Sequence, residues 1–389
     1  MSDPMLAGLL GLISLAIWLY LVCARGGFWL ARERDERDEA ADPAVWPAVT
    51  AVVPARDEAD VIARSVGSLI AQDYPGPFRV ILVDDQSSDG TAEAAQAAAR
   101  ACGAEDRLEV LEGAPLAAGW TGKLWAMSQG VGRAGQHAPP DYLWLTDADI
   151  AHAPSNLRRL VARSEAKGLA LTALMVRLHC GTWPERLLIP AFVFFFQMLF
   201  PFAWVNDPQN RVAAGAGGCM LVRRAALERA GGIASVRAEI IDDCALARRL
   251  KAEGPIWLGL GARAQSLRPY ASLGQIGRMV SRSAYAQLNY SPWLLAGAIL
   301  GMVLTYLAPP ALALLGHGPA RWAGAGAWAL MAMAFQPILR VYRRSPLWGL
   351  ALPLIGALYT GFTLQSAIDV WRGRGGMWKG RAQALASQA

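Results

Sequence analysis

Lysine is scarce in this sequence: four residues against 33 arginines, in a chain of 389 residues with a net charge of +6. Charged residues of all kinds make up 17%, below the roughly 25% of a soluble domain, while hydrophobic residues make up 54%. This balance excludes a disordered chain and argues against a wholly soluble one. Cysteine is also thin. Cys23, Cys102, Cys180, Cys219 and Cys244 form no CxxC pair and no even framework. A disulfide scaffold is excluded, and the five are expected to be small buried hydrophobes in a reducing compartment. No GxGxxG follows the first strand and no Walker A sequence occurs, so hydride transfer and ATPase chemistry fall away. There is no zinc-finger spacing and no RNA-binding aromatic signature, so nucleic acid is not an expected partner.

Acidic residues are nearly missing from the back third. From residue 255 onward there are twelve Lys/Arg and one acid, Asp369, whereas residues 1–254 carry 25 basic and 30 acidic groups. Basic charge beside long apolar runs points to membrane lipids with anionic headgroups. Met5–Val22 is an uncharged run long enough to span a bilayer, and no Lys or Arg precedes it as in a secretory signal. Arg25, Arg32, Arg34 and Arg37 follow it. The positive-inside rule then places the N-terminus outside and the next domain in the cytoplasm. Acids interspersed with these arginines make 25–45 a charged, solvated linker.

Three further apolar stretches, 292–315, 322–339 and 347–368, are each long enough to span, and Pro309, Pro310, Pro337 and Pro353 are expected to kink or end them. Arg340, Arg343 and Arg344 precede the last stretch; Arg372, Arg374, Lys379 and Arg381, in the basic tail 371–389, follow it. Both groups cannot be inside if 347–368 crosses once, so that stretch is either re-entrant or an exception to the rule. Leu187–Val205 is also long enough to span, but the polar motifs on its two sides must share one compartment. Pro190 and Pro201 interrupt it as well. It is read as an interfacial element facing lipid, with a buried core helix as the alternative.

Within a domain expected at 46–285, strand and helix patterns alternate from about 46 to 260. Val49–Val53, Val80–Val83, Leu108–Leu111 and Tyr142–Leu145 read as strands, and Ala59–Ala71, Thr91–Arg100 and 154–167 as helices. This predicts an α/β domain with a mixed, largely parallel sheet flanked by helices, and ligands at the carboxyl ends of its strands. Those ends carry acids. The second strand runs into VDDQSSDGT at 83–91. A turn capped by Ser88 or Asp89 accounts for Asp89, but not for the adjacent Asp84 and Asp85. The fourth strand ends in Asp147-Ala148-Asp149, two carboxylates whose i, i+2 spacing aims them the same way if the chain stays extended. Such a pair suits a hard divalent cation, Mg or Mn, completed by water and phosphate oxygens.

Lys123, in GWTGK at 119–123, reads either as a point charge for a diphosphate or as a surface lysine at a helix start. Asp242 and Asp243 open a helix, Asp243 to Lys251; they read either as a helix cap or as a base for an attacking hydroxyl. Of the histidines only His152 stands near a motif, close enough to Asp149 to touch a metal site.

The ordered set VVPARDE at 52–58, VDDQSSDGT at 83–91, GWTGK at 119–123, DAD at 147–149, GGCMLVRR at 217–224, GGI at 231–233, DD at 242–243 and QIGRM at 275–279 resembles the family 2 glycosyltransferases of GT-A fold. The segments 187–208, 241–251 and 281–292 look like the membrane-bound hopene-associated glycosyltransferases of bacterial hopanoid clusters. The resemblance implies a bacterial inner-membrane, multi-pass enzyme with a cytoplasmic catalytic domain. It implies a nucleotide-sugar donor, a UDP-sugar above others, and a lipid acceptor of hopanoid or polyprenyl type. Residue roles carry over position by position. Pro54, Arg56 and Glu58 match the first nucleotide loop, and Asp84 and Asp85 the base and ribose end of the donor. Asp149 matches the metal ligand, with Asp147 supporting it, and Asp243 the general base beside Asp242. Gln275 and Arg278 match the diphosphate and acceptor motif, with Arg282 one turn further on. Met279 replaces the tryptophan of that motif, which favours single transfer to a lipid over polymer synthesis. A degenerate, non-catalytic scaffold requires loss of an acid site, and all three are present.

Overall fold

The computed structural model describes residues 4–37, 40–136 and 138–375, and the backbone of 377–378 and 381–382. Lys379 and the end of the basic tail lie outside the described residues. In chain order the elements begin with α1 (Pro4–Cys23), β1 (Val49–Ala55), α2 (Ile62–Ile70), β2 (Phe78–Asp84), α3 (Thr91–Ala101), β3 (Leu108–Glu112), α4 (Gly122–Ala134), β4 (Tyr142–Leu145) and β5 (Ile150–His152). There follow α5 (Asn156–Lys167), β6 (Leu171–Arg177), α6 (Trp183–Leu199), α7 (Phe202–Asn206), β7 (Met220–Arg223), α8 (Arg224–Arg229), α9 (Asp242–Glu253) and β8 (Ile256–Ser266). The last helices are α10 (Leu273–Ala284), α11 (Pro292–Met302), α12 (Ala308–Leu315), α13 (Gly318–Val341) and α14 (Leu352–Trp371).

The chain forms two units. One comprises 33–179, 204–268 and 376–389; the other comprises 1–32, 180–203 and 269–375.

The first unit is built on one eight-stranded sheet, ordered β3-β2-β1-β4-β7-β6-β8-β5. β3, β2, β1 and β4 are mutually parallel; β4–β7, β7–β6 and β8–β5 are antiparallel, and β6–β8 is parallel. The sheet is mixed, as expected. β1 is buried at all seven positions, which is why its sequence is a continuous apolar run and not an alternating one. From β1 the strand order runs outward to β2 and β3 on one side and to β4 on the other. The boundary between β1 and β4 is a topological switch point, where sheets of this kind bind ligands at the carboxyl ends of the strands. Helices cover the sheet with apolar faces, as α2 does with Ile62, Val66, Leu69 and Ile70.

The stretch expected to be a solvated linker is only partly one. Asp35 is buried, and its carboxylate accepts from the N–H groups of Ala262 (3.0 Å) and Arg263 (3.1 Å) on β8. Arg34 pairs with Leu260 as a parallel bridge. The local reason is unsatisfied β8 backbone, which the acidic segment completes.

The second unit is helical. Four of its segments, Pro4–Cys23, Pro292–Leu315, Gly318–Val341 and Pro346–Trp371, are long and apolar enough to cross a membrane. Of the two outcomes expected at the prolines, a kink or an end, the helices do not end there. A turn of π-helix, Val303–Leu307, joins α11 to α12 just before Pro309 and Pro310. Ser14 Oγ donates to the Leu304 carbonyl (2.8 Å) and Trp18 Nε1 to the Thr305 carbonyl (2.7 Å). Side chains of α1 thus satisfy backbone acceptors beside the helix-breaking prolines, and the helix continues. Pro337 lies inside α13, and Pro353 in the first turn of α14, where it is tolerated. Small residues set the α1–α13 approach: a Cβ on Gly11 would stand 3.1 Å from Ala323 Cβ.

The run 187–205 differs from the lipid-facing element expected. Leu187–Ala191, Val193–Phe195 and Gln197 of α6 are buried within this unit, and only Trp183 and Leu199 are large and exposed. The core-helix alternative describes its packing. Thr182 and Glu185 form a capping box at its start, and Arg25 donates to the Met198 carbonyl (3.1 Å) at its end. Phe200 and Pro201 separate it from α7. The cysteines also depart from expectation: Cys219 and Cys244 are buried, while Cys23 and Cys102 are exposed.

Candidate active site

The loops after β1 and β2 hold each other. Ser87 Oγ accepts from the Asp57 N–H (3.0 Å), and Asp57 Oδ1 from the Ser88 N–H (2.9 Å). Asp57 (φ 49°) and Gln86 (φ 57°) both adopt left-handed backbone, which non-glycine residues rarely do. Strain of this kind persists where surrounding contacts over-determine it, and it concentrates at functional loops. Asp89 is not the helix cap expected. Gly90 takes that position with φ 88°, and the Asp89 carboxylate instead accepts from the N–H of Ala59 (2.9 Å) and of Thr91 (3.1 Å). Asp84 accepts from the Ser87 N–H (3.1 Å). Asp85 is fully buried, with the Arg56 guanidinium 3.8 Å from its carboxylate. Pro54 is not a loop residue: it sits in β1 opposite Val83, near the strand end where a missing N–H costs least.

The acids after β4 diverge. Ala148 and Asp149 turn back into β5, so the extended-chain geometry behind the i, i+2 expectation does not hold there. Asp147 Oδ1 lies 2.9 Å from Lys123 Nζ, and Asp149 Oδ2 lies 3.3 Å from Arg268 Nε. Arg268 also pairs with Glu58. Burial raises the Asp149 pKa and the nearby Asp147 adds to this, while Arg268 opposes both.

Lys123 is no surface lysine. Thr121 caps α4, and the lysine in its first turn reaches Asp147 and, at 3.3 Å, Asp242. Burial alone would lower its pKa, but Asp147, Asp242 and Asp243 raise it above the ordinary lysine value, so it is a permanent cation.

Asp242 and Asp243 are the first two residues of α9, whose cap is Ile241. The simple capping role therefore does not apply. Asp243 Oδ2 accepts from the Gly217 N–H (3.0 Å) and Oδ1 from the Cys244 N–H (2.7 Å). Burial first, and Asp242 second, push its pKa up to about 6 against these donors and Lys123. The result is a rigidly aimed carboxylate, more basic than usual, at a helix N-terminus.

Gln275, Arg278 and Arg282 belong to the other unit. Gln275 Oε1 accepts from the Ala271 N–H (2.6 Å) at the start of α10, and Arg278 and Arg282 share one exposed face of that helix. His152 is a core histidine, fully partnered away from the carboxylates. Two participants escaped the sequence reading. Gly217 lay inside a quoted motif, but its role as an N–H donor is a backbone property. Arg268 had no signal beyond its place two residues after β8.

Asp147 and Asp149 offer hard oxygen donors of the kind Mg²⁺ and Mn²⁺ take. Among the described residues no cluster of three or more His, Cys, Asp or Glu forms a cation cage. Two carboxylates need diphosphate oxygens and water to complete a cation's shell. The pair does not fit a cation held by protein alone.

Parallel strands around a switch point, with acids at their carboxyl ends and an antiparallel second half, make a domain of GT-A fold. The chain belongs to the family described as glycosyltransferase like family 2, whose model matches residues 47–285, more than half of the chain. It is similar to a mannosyltransferase, PcManGT from Pyrobaculum calidifontis, solved in complex with GDP-Man and Mn²⁺. The two share 20% identity, covering 93% of this chain and 99% of that one, at a TM-score of 0.55. It is also similar to an N-acetylglucosaminyltransferase of Rhizobium leguminosarum bv. viciae, 29% identical over 145 residues. That match takes in 36% of this chain, and the chain spans only about a third (32%) of the relative's length.

Proposed function

We propose that the protein is a membrane-bound, inverting glycosyltransferase. It moves a sugar from a nucleoside-diphosphate donor, a UDP-sugar first, to a hydroxyl of a lipid acceptor. The carrying observation is Asp243: a desolvated carboxylate, held by two backbone N–H groups, with Lys123 beside it and its neighbour Asp242. Asp243 takes the proton of the acceptor hydroxyl as its oxygen attacks the anomeric carbon. Lys123 offers positive charge beside the departing diphosphate. A divalent cation, Mg or Mn, would be held by Asp149 and Asp147, and when bound it supplies charge neutralisation for that leaving group. Pro54, Arg56, Glu58, Asp84 and Asp85 form the nucleotide side of the cleft. Gln275, Arg278 and Arg282 are assigned to the diphosphate and acceptor by their motif.

Four apolar spans in the same chain favour a lipid acceptor. The hopene-associated resemblance favours a hopanoid over a polyprenyl phosphate. The test is nucleoside diphosphate release by lipid-reconstituted protein, with UDP-N-acetylglucosamine and other UDP- and GDP-sugars, Mn²⁺, and each acceptor in turn. Asp243→Asn is expected to lower turnover by about 10²–10⁴-fold with donor binding intact. Unchanged turnover in that variant would remove the base assignment.

A further inference from the structure

His152 is buried and has no part in the chemistry above. Its ring belongs to a directed chain of hydrogen bonds. Thr146 Oγ1 lies 2.8 Å from the Gly218 carbonyl oxygen and 3.0 Å from His152 Nε2. A hydroxyl has one proton and a carbonyl only accepts, so that proton goes to Gly218. His152 Nε2 is therefore the protonated nitrogen and donates to Thr146. Asn156 Nδ2, 3.0 Å from the other ring nitrogen, donates to the bare Nδ1. Burial depresses the histidine pKa to about 3, so the ring stays neutral in this one tautomer.

The other end of the chain is a pair of glycines. Gly217, beside Gly218, donates its N–H to Asp243. Neither glycine has a side chain to anchor it, and a side chain would be crowded at both. A Cβ would stand 3.1 Å from Lys123 Nζ at Gly217, and 3.0 Å from Val176 at Gly218. The turn is closed by the Cys219 N–H to the Ala216 carbonyl (3.2 Å), and Thr146 adds a side-chain hold on the Gly218 carbonyl between them.

We propose that Thr146, its hydroxyl oriented by His152, is a positioning residue that fixes the 217–218 backbone and with it the N–H donor to Asp243. This rests on the reading of Asp243 as the base. The titratable groups around Asp243 are Asp242, Lys123 and Cys244, with Asp147 on the far side of Lys123. None of them belongs to the histidine chain. Thr146 does precede Asp147, so that carboxyl serves as the control.

The test is a carboxyl titration by NMR of the full-length protein in nanodiscs, with ¹³Cγ-labelled aspartate. Asp243→Asn and Asp147→Asn assign the signals. Thr146→Val keeps the shape and removes the hydroxyl. It is expected to raise the Asp243 midpoint by about one unit, because a donor to the charged form is lost. Thr146→Ser is expected to restore the midpoint, and Asp147 to stay put in both. Thr146→Ala is read the same way if the valine variant does not fold. An Asp243 midpoint unmoved by loss of the hydroxyl overturns the proposal, and so does an equal shift in the serine variant. Turnover of Asp243→Asn bears on the base assignment alone, so the two failures are separable.

Discussion

Lys123 Nζ stands 2.9 Å from Asp147 Oδ1 and 3.3 Å from Asp242 Oδ2, so a single ammonium ties the end of β4 to the start of α9. These two points are 95 residues apart in the chain, and each brings a further acid, Asp149 and Asp243. Without the lysine the cluster is a set of mutually repelling carboxylates in a partly buried site.

Lys123→Met is therefore expected to cost about 3 kcal/mol of stability at pH 7, the usual scale for breaking a buried pair. Removing the cation raises the carboxylate pKa values, so the deficit is expected to shrink as pH falls and the acids take up protons. Thermal unfolding of wild type and variant across pH 5–8 checks both the size and the sign.

Asp243 must be ionised to accept a proton, and burial and Asp242 push its pKa up to about 6. Turnover under saturating donor is expected to rise as pH increases through about 6 and to flatten above it. A pH–rate profile with no acid limb in that region speaks against Asp243 as the base.

Arg268 Nε lies 3.3 Å from Asp149 Oδ2 and the same guanidinium holds Glu58, so a divalent cation competes with it for Asp149. Arg268→Gln is expected to tighten donor-free Mn²⁺ binding by roughly tenfold, about 1.4 kcal/mol. Electron paramagnetic resonance of free Mn²⁺ during titration measures this. Weaker binding in the variant shows instead that Arg268 orients Asp149 for the metal.

Asp35 accepts from two N–H groups of β8, so Asp35→Ala leaves the Ala262 and Arg263 donors without that partner. The expected cost is about 2–4 kcal/mol, one desolvation penalty for each donor. Limited proteolysis should find new cleavage near 33–37. Asp35→Asn, which keeps an acceptor oxygen for one donor, is expected to lose about half as much.

The parallel half of the sheet was legible because each buried strand is a compact apolar run followed by turn residues, as at Val80–Val83 before Asp84. β5, β6, β7 and β8 were not read. Their burial comes from partners distant in the chain, such as Met220 with Leu145 or Leu171 with Ile256, and no local period records that. α6 shows the same limit. Its apolar run suits a lipid face and a protein core equally, and burial within its unit depends on which helices arrive beside it.

Residue types and their spacing determined the acids, the order of the motifs and the four apolar spans, because charge, hydropathy and chain length are local properties. They also carried the family to which the chain belongs. Pairing was decided only in three dimensions. Lys123 was assigned to Asp147 and Asp242, Arg268 to Asp149 and Glu58, and His152 to a structural chain and not to a metal. An ion pair or a hydrogen bond acts over a few ångströms of space, and only folding brings residues so far apart in sequence within that reach.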